Sequence, residues 1–388
     1  MDMSEKAELA RSLIIGLALG VSSFLLSNFL QASNYNFGFT EEFIKMSLHP
    51  FTTETALRYR ILIPLIGYLT GLKGHYYFIL SLIGVIVFLT VVNYWAYRFY
   101  NSRITAALIT SLLVGLPTVL FTNVFYGWSD IYCYIFLMLA LLSPRYSFIY
   151  IFLGILTHEF FLTYIPFIYL YHYRFNRDIF ADRAGLMRQA CGLFIVFASY
   201  GIIRFFIASS GGSAYTLDFY ARIILEQGIF YKIERQPVLF GFLTAYEAAL
   251  VLFILFLNFL VRNYKKHFLD SAMLISALLP ALVLFISHDT TRVWSNTFIF
   301  ILLFPAYLPA TRNFLLLIIA VVNLLIPSFY LGGDWMAPLD RQAKLIYARI
   351  AAAGDFNNGR ISFQELNDGR IVKAALSLIK KRQVADQH

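Results

Sequence analysis

Residues 76–130 read YYFILSLIGVIVFLTVVNYWAYRFYNSRITAALITSLLVGLPTVLFTNVFYGWSD, and this stretch decides the fold. No charge occurs from residue 76 to 97, nor from 104 to 129, and only RFYNSR separates the two runs. A helix needs about 20 apolar residues to cross a bilayer core of about 30 Å. Each run meets that length, and the polar break between them is too short to be a soluble domain. Working outward, further uncharged runs cover residues 12 to 40 and 313 to 333. Across all 388 residues 59% are hydrophobic and only 14% charged, with a mean hydropathy of +0.68. That composition excludes an ordinary soluble fold, and the length of the runs excludes a dispersed β-barrel pattern. The expected class is all-α, a polytopic helical membrane protein. The 26 Tyr and 39 Phe suit interfacial belts and aromatic-lined cavities.

Nine full spans are predicted, near 12–30, 76–97, 104–121, 130–143, 189–208, 240–261, 268–287, 294–310 and 313–331. Two stretches read differently. Residues 57–72 carry Arg58 and Arg60 at the start, then Pro64 and two glycines, and are expected to be re-entrant or interfacial. Residues 146–173 hold His158 and Glu159 at their midpoint and are expected to form a hairpin of two half-helices. With both readings, Lys and Arg concentrate in the short loops of one face, as the positive-inside rule requires. If both stretches cross once, the bias vanishes. The N-terminus is then cytoplasmic with RFYNSR, the loop from Arg174 to Arg188 and RNYKKH, and the C-terminus is external. The reading favours a bacterial inner membrane over the endoplasmic reticulum.

Residues 1–331 form the expected transmembrane domain, with external loops 31–75 and 209–239, and 332–388 a polar, partly helical tail. In that tail NNGRI and NDGRI read first as two turns, because Gly354 and Phe356 stand where a calcium loop needs oxygen ligands. Cys133 and Cys191 lie in apolar runs and match no disulfide framework or zinc spacing. No nucleic-acid module is present.

This topology sends Glu41, Glu42, Asp130, Asp289, Arg58, Arg60 and Arg292 to one external surface, with Glu159 at the hairpin tip and Glu247 part-way into its span. An acid inside a membrane is expensive and therefore a functional candidate by default. Bland readings stand beside these. Arg58 and Arg60 can snorkel to headgroups, Asp130 can cap the helix beginning at Ile131, and Glu41 and Glu42 can be solvated loop charges. His158 can be a structural hydrogen-bonded residue, Glu159 an ion-pair partner in the bundle, and Asp289 and Arg292 a salt bridge within one helical turn.

Four patches occur in order: FGFTEEFIKMSLHPF, RYRILIPLIGYL, LPTVLFTNVFYGWSDIYCYIFLML and HDTTRVWSNTFIFILLFP. Their order resembles membrane glycosyltransferases of the GT-C type, particularly the dolichol-phosphate-mannose-dependent second mannosyltransferase of GPI-anchor synthesis and its bacterial relatives. The matching residues are Glu41 or Glu42, Pro64, Arg98 with Arg103, Pro117 with Tyr126 and Asp130, and Arg292. The chain departs from the family in reading YGWSD where the family has a tighter triplet, and in lacking a Trp-Asp pair in the first loop.

The resemblance implies transfer of a sugar from a polyprenyl-phosphate donor to a lipid, glycan or protein acceptor, in cell-envelope polysaccharide or glycolipid synthesis. Inverting transfer needs a carboxylate base, for which Glu41, Glu42, Asp130 and Glu159 are candidates. It also needs cations on the departing phosphate, for which Arg58, Arg60 and Arg292 are candidates. Tyr126, His158, His288 and Asp289 would support them. A divalent cation stays open as a cofactor, and the competing class is a multi-span transporter or lipid flippase.

Overall fold

The computed structural model describes residues 3–27, 38–55, 57–125, 127–180, 183–209, 238–285, 287, 289–309, 311–332 and 335–354. Helix α1, Met3–Leu26, buries Glu8, Ser12, Gly16, Gly20 and Ser23. Its Leu13, Ile14, Leu17, Val21 and Leu25 are exposed. Small and polar residues face the protein and large apolar ones face outward, the reverse of a soluble helix and the pattern of one that packs in lipid. Helix α4, Phe78–Tyr100, fits the small stripe: Ser12 donates to Asn93 at 3.0 Å, and a Cβ on Gly16 would fall 2.1 Å from Thr90 Oγ1.

Between them lie the short helices α2, Gly38–Leu48, and α3, Leu62–Thr70. Helix α3 has nine residues and stops at Gly71, whose φ of 77° favours glycine. At 1.5 Å per residue it rises about 14 Å, too little to cross the hydrocarbon core. After α4 come α5, Arg103–Val114, and α6, Pro117–Val124, bent by 48° where Pro117 ends one helix and starts the next.

Helices α7, Asp130–Leu142, and α8, Ser147–Thr157, fold back with a bend of 118° across Pro144. Ser129 Oγ donates to the Thr157 carbonyl at 3.1 Å, so the start of α7 meets the end of α8. At His158 the backbone turns extended, a 3₁₀ turn Glu159–Tyr164 follows, and α9, Ile165–Phe175, runs back until His172 Nε2 lies 3.0 Å from the Ala140 carbonyl. His158 and Glu159 therefore share an end of the bundle with Asp130.

The second half contains α10, Arg183–Ser209, then α11, Val238–Tyr246, and α12, Leu250–Asn263, interrupted at Glu247. It continues through α13, Phe268–Ser276, the short helices α14, Thr290–Ser295, and α15, Ile299–Leu303, and then α16, Arg312–Leu325. Among the described residues five helices are long and apolar enough to cross a membrane, or seven if each bent pair is one span. The difference from nine uninterrupted spans lies where proline or a buried polar cluster breaks the helix. Residues 290–307 form three short pieces ending around Pro305, and α16 stops at Ile326 before Pro327.

Among the described residues the structure is mostly helical, with one small β-hairpin added. Beyond Pro327 strands β1, Phe329–Gly332, and β2, Trp335–Pro338, pair antiparallel, with Tyr330 opposite Ala337. Tyr330 packs on Phe121 and Phe125 at 5.3 Å between ring centroids, so this hairpin plugs into the helical core at the position where a polar tail is expected to begin. Helix α17, Arg341–Gly354, follows, while NNGRI and NDGRI lie outside the described residues.

The ion pairs sort by end. One end carries Glu5 with Arg98, Glu8 with Arg103, and Arg174 with Asp270. The other carries Arg60 with Glu159 and Arg292 with Asp130 and Asp289. Two outcomes are expected. Gly16→Leu collides with the Thr90 backbone and lowers the detergent unfolding temperature, overpacking being worth about 1–3 kcal/mol, while Leu17→Ala on the outer face does not. In a Cys191→Ser background, cysteines at the exposed Asn101 and Thr52 react with an impermeant maleimide from opposite sides of the membrane.

Candidate functional site

Four chain segments meet at the end that holds Arg60 and Arg292. The first is the turn from Thr55 to Arg60. Backbone bonds from Arg58 to Thr55 and from Arg60 to Leu57 curl it tightly, so both arginines are buried. Thr55 Oγ1 donates to Glu42, which joins this turn to α2. Glu41 is exposed one residue earlier. The loop Gly127 to Asp130 is the second segment, with Gly127 at φ 100°, close against Phe43 and Tyr77. The break at His158 and Glu159 is the third. The fourth is Asp289 with α14.

Arg292 is the centre. Its guanidinium lies 4.2 Å from the centroid of the Trp128 ring, 3.1 Å from Asp289 Oδ2 and 3.7 Å from Asp130 Oδ2. Arginine is suited to such a place because its planar charge is weakly hydrated and stacks on aromatics. Asp289 is fully engaged: its other oxygen accepts from Tyr330 Oη at 2.5 Å. Tyr330 is the donor in that bond, because an ionised Asp289 carboxylate can only accept.

Asp130 differs. Ser129 is the N-cap residue of α7, and neither Asp130 oxygen accepts a hydrogen bond among the described residues. The capping role is not realised. Arg292 Nε and Nη1 likewise have no hydrogen-bond partner there. A buried acid and a buried base thus face each other at 3.7 Å with bonding capacity unused, an arrangement that costs free energy unless a further polar group enters.

Arg60 Nε donates to Glu159 Oε2 at 3.1 Å, and His158 Nδ1 lies 3.4 Å from the same oxygen. His158 Nδ1 also accepts from the Phe160 N–H at 3.3 Å, which places the proton of a neutral ring on Nε2, and that atom has no partner among the described residues. The Ser129 Oγ bond to the Thr157 carbonyl brings the residues just before Asp130 and just before His158 together, so the two ion pairs share one end of the bundle. The expected site residues Arg60, Asp130, His158, Glu159, Asp289 and Arg292 come together. Arg58 is in the same turn, Glu42 is one hydrogen bond from it, and Glu41 makes no bond or ion pair among the described residues. Tyr126 and His288 lie outside the described residues.

Sequence reasoning passed over Arg204. Its guanidinium sits 3.9 Å from the centroid of the Tyr59 ring and donates to Tyr200 Oη at 3.0 Å. A lone arginine in the 189–208 span was a readable signal, since a cation in an apolar helix needs a reason. Trp128 and Tyr330 gave none, because an aromatic residue at a membrane-protein interface is ordinary. Glu247 belongs to a different cluster: Ser328 Oγ lies within hydrogen-bond reach of both its carboxyl group and the Gly115 carbonyl, and the Glu247 φ of 47° marks the strained break of α11 from α12. Among the described residues no group of three or more His, Cys, Asp or Glu side chains comes together to hold a metal ion.

Comparison with models of known protein families, with curated proteins and with solved structures finds no match for this chain. The cluster's own energetics can be tested directly. Arg292→Leu leaves the buried Asp130 and the half-buried Asp289 without their cation and should destabilise by about 3–5 kcal/mol. Adding Asp130→Asn and Asp289→Asn should recover much of that loss in a detergent unfolding titration.

Proposed function

We propose that this protein is a membrane glycosyltransferase of the GT-C type, moving a sugar from a polyprenyl-phosphate donor to a lipid, glycan or protein acceptor. The observation that carries the reading is the unused bonding capacity of Asp130 and Arg292, a carboxylate and a cation side by side in a buried site. In the proposed reaction the acceptor O–H attacks the anomeric carbon as the bond to the phosphate oxygen breaks. Asp130 takes the proton, and the free guanidinium N–H groups of Arg292 hold the departing phosphate.

Asp130 displaces Glu41 and Glu42 as the favoured base, because Glu42 is occupied by Thr55 and Glu41 faces outward. The concentration of guanidinium groups at this end supports the phosphate role. Arg60, Arg204 and Arg292 bring three guanidinium ions close to Asp130, Glu159 and Asp289, and Arg58 lies in the same turn as Arg60. Asp289 positions Arg292, and the Arg60–Glu159 pair fixes the second wall. In this reading the site faces outside, since the opposite end carries the basic loops that the charge rule assigns to the cytoplasm.

One observation favours a transporter or flippase instead. The two interrupted helices, α5–α6 at Gly115 and α11–α12 at Glu247, meet at Ser328, and transporters bind substrate and coupling ions at such breaks.

Reconstitution with a polyprenyl-phosphate-linked sugar separates the readings. Asp130→Asn should slow sugar transfer by about two to four orders of magnitude while donor binding persists, and Arg292→Lys should retain only part of the wild-type rate. If Asp130→Asn keeps full transfer, Asp130 is not the base. Vesicle uptake or lipid scrambling without sugar transfer would establish the second reading.

A further inference from the structure

At the end of the bundle opposite the Arg292 cluster, a cavity of about 450 Å³ opens beside Arg98 and Arg312. That volume falls in the range of small-molecule sites, about 300–1,000 Å³. Among the described residues no Asp or Glu lines it. Its floor is aromatic: Trp95 stacks on Phe99 with centroids 4.9 Å apart, and Tyr100 stands edge-on to Phe99 at 5.0 Å. The polar groups facing this floor are two guanidinium ions, the Asn176 amide and the Tyr171 hydroxyl. Trp95 Nε1 donates to Tyr171 Oη at 3.2 Å, so the phenol's own proton has no acceptor among the described residues. Arg312 makes no ion pair among the described residues, and its guanidinium is held 5.2 Å from the centroid of the Tyr100 ring. Arg98 donates to Glu5 at 2.8 Å.

A cavity that offers cations and donors but no carboxylate selects an anion, and the fork of arginine matches phosphate oxygens. The surroundings name the carrier. Beyond Arg312, helix α16 exposes Phe314, Leu317, Ile318 and Val321, the spacing of one continuous helical face. An apolar track leading away from a cationic cavity accommodates an acyl chain whose headgroup sits at the arginine. We propose that this cavity binds the phosphate of an anionic membrane lipid, with Arg312 and Arg98 on the phosphate and the chain along α16. This site is separate from the Arg292 cluster and does not depend on the catalytic reading.

The test uses full-length protein, delipidated in detergent, and native mass spectrometry with phosphatidylglycerol, phosphatidylcholine or inorganic phosphate as the added probe. Phosphatidylglycerol should bind saturably and more tightly than phosphatidylcholine. Arg312→Ala and Arg312→Gln should each weaken it by about tenfold, the usual loss of a charge-assisted contact, with the unfolding temperature unchanged. Arg145→Ala, an exposed arginine outside the cavity lining, should leave binding as in the wild type. Equal retention of both lipids, or unaltered phosphatidylglycerol binding in both Arg312 variants, overturns the proposal. Inorganic phosphate binding as tightly as the lipid would make this a free-anion site and also overturn it. If both Arg312 variants unfold, Arg98→Ala must show the loss, and its absence there decides against the site.

Discussion

A guanidinium taken out of water must find negative charge, and the placement of Arg292 satisfies that demand by drawing three parts of the chain together. Asp289 comes from its own helical turn, Asp130 from the start of α7, and Tyr330 from the hairpin beyond Pro327 through its bond to Asp289. Trp128 closes the remaining face. Removing the cation would leave like charges facing each other in a low dielectric, where their repulsion is several times that in water. The hairpin, the fold-back of α7 on α8 and the turn of short helices after Asp289 all converge on this point.

The rest of the bundle follows a complementary rule. No water is available inside a membrane to satisfy polar groups, so polar and small side chains turn inward and pair. Ser12 with Asn93, Asn93 with Thr110 and Asn123 with Ser23 are buried links between helices, and Thr105 with Asn313 is a half-buried one. Where a helix breaks, a side chain takes up the freed backbone group: Asn323 Oδ1 accepts from the Ala248 N–H beside the strained Glu247. The two ends of the bundle then divide the work. One gathers acids and bases in a buried cluster, and the other presents cations around an aromatic cavity.

From the sequence alone the membrane class was legible, because uncharged runs as long as 76–97 have no other stable solvent. The short, proline-bearing 57–72 stretch was legible as too broken to cross, and the separation of Arg98 and Arg103 from Arg60, Asp130 and Arg292 followed from charge counting. Those readings rest on local composition, which a linear chain displays openly. Which carboxylate is spent and which is spare was not legible. Asp130 has the sequence context of a helix cap, yet Ser129 occupies that position and Asp130 turns to Arg292 across more than 160 residues. The β-hairpin was equally hidden, since Phe329–Gly332 continues an apolar run and only the cavity between Phe121, Phe125 and Asp289 gives Tyr330 its place. Hydropathy and charge act residue by residue and so are written in the sequence. Pairing among buried ions depends on distance and on the loss of solvent, and both exist only once the helices have packed.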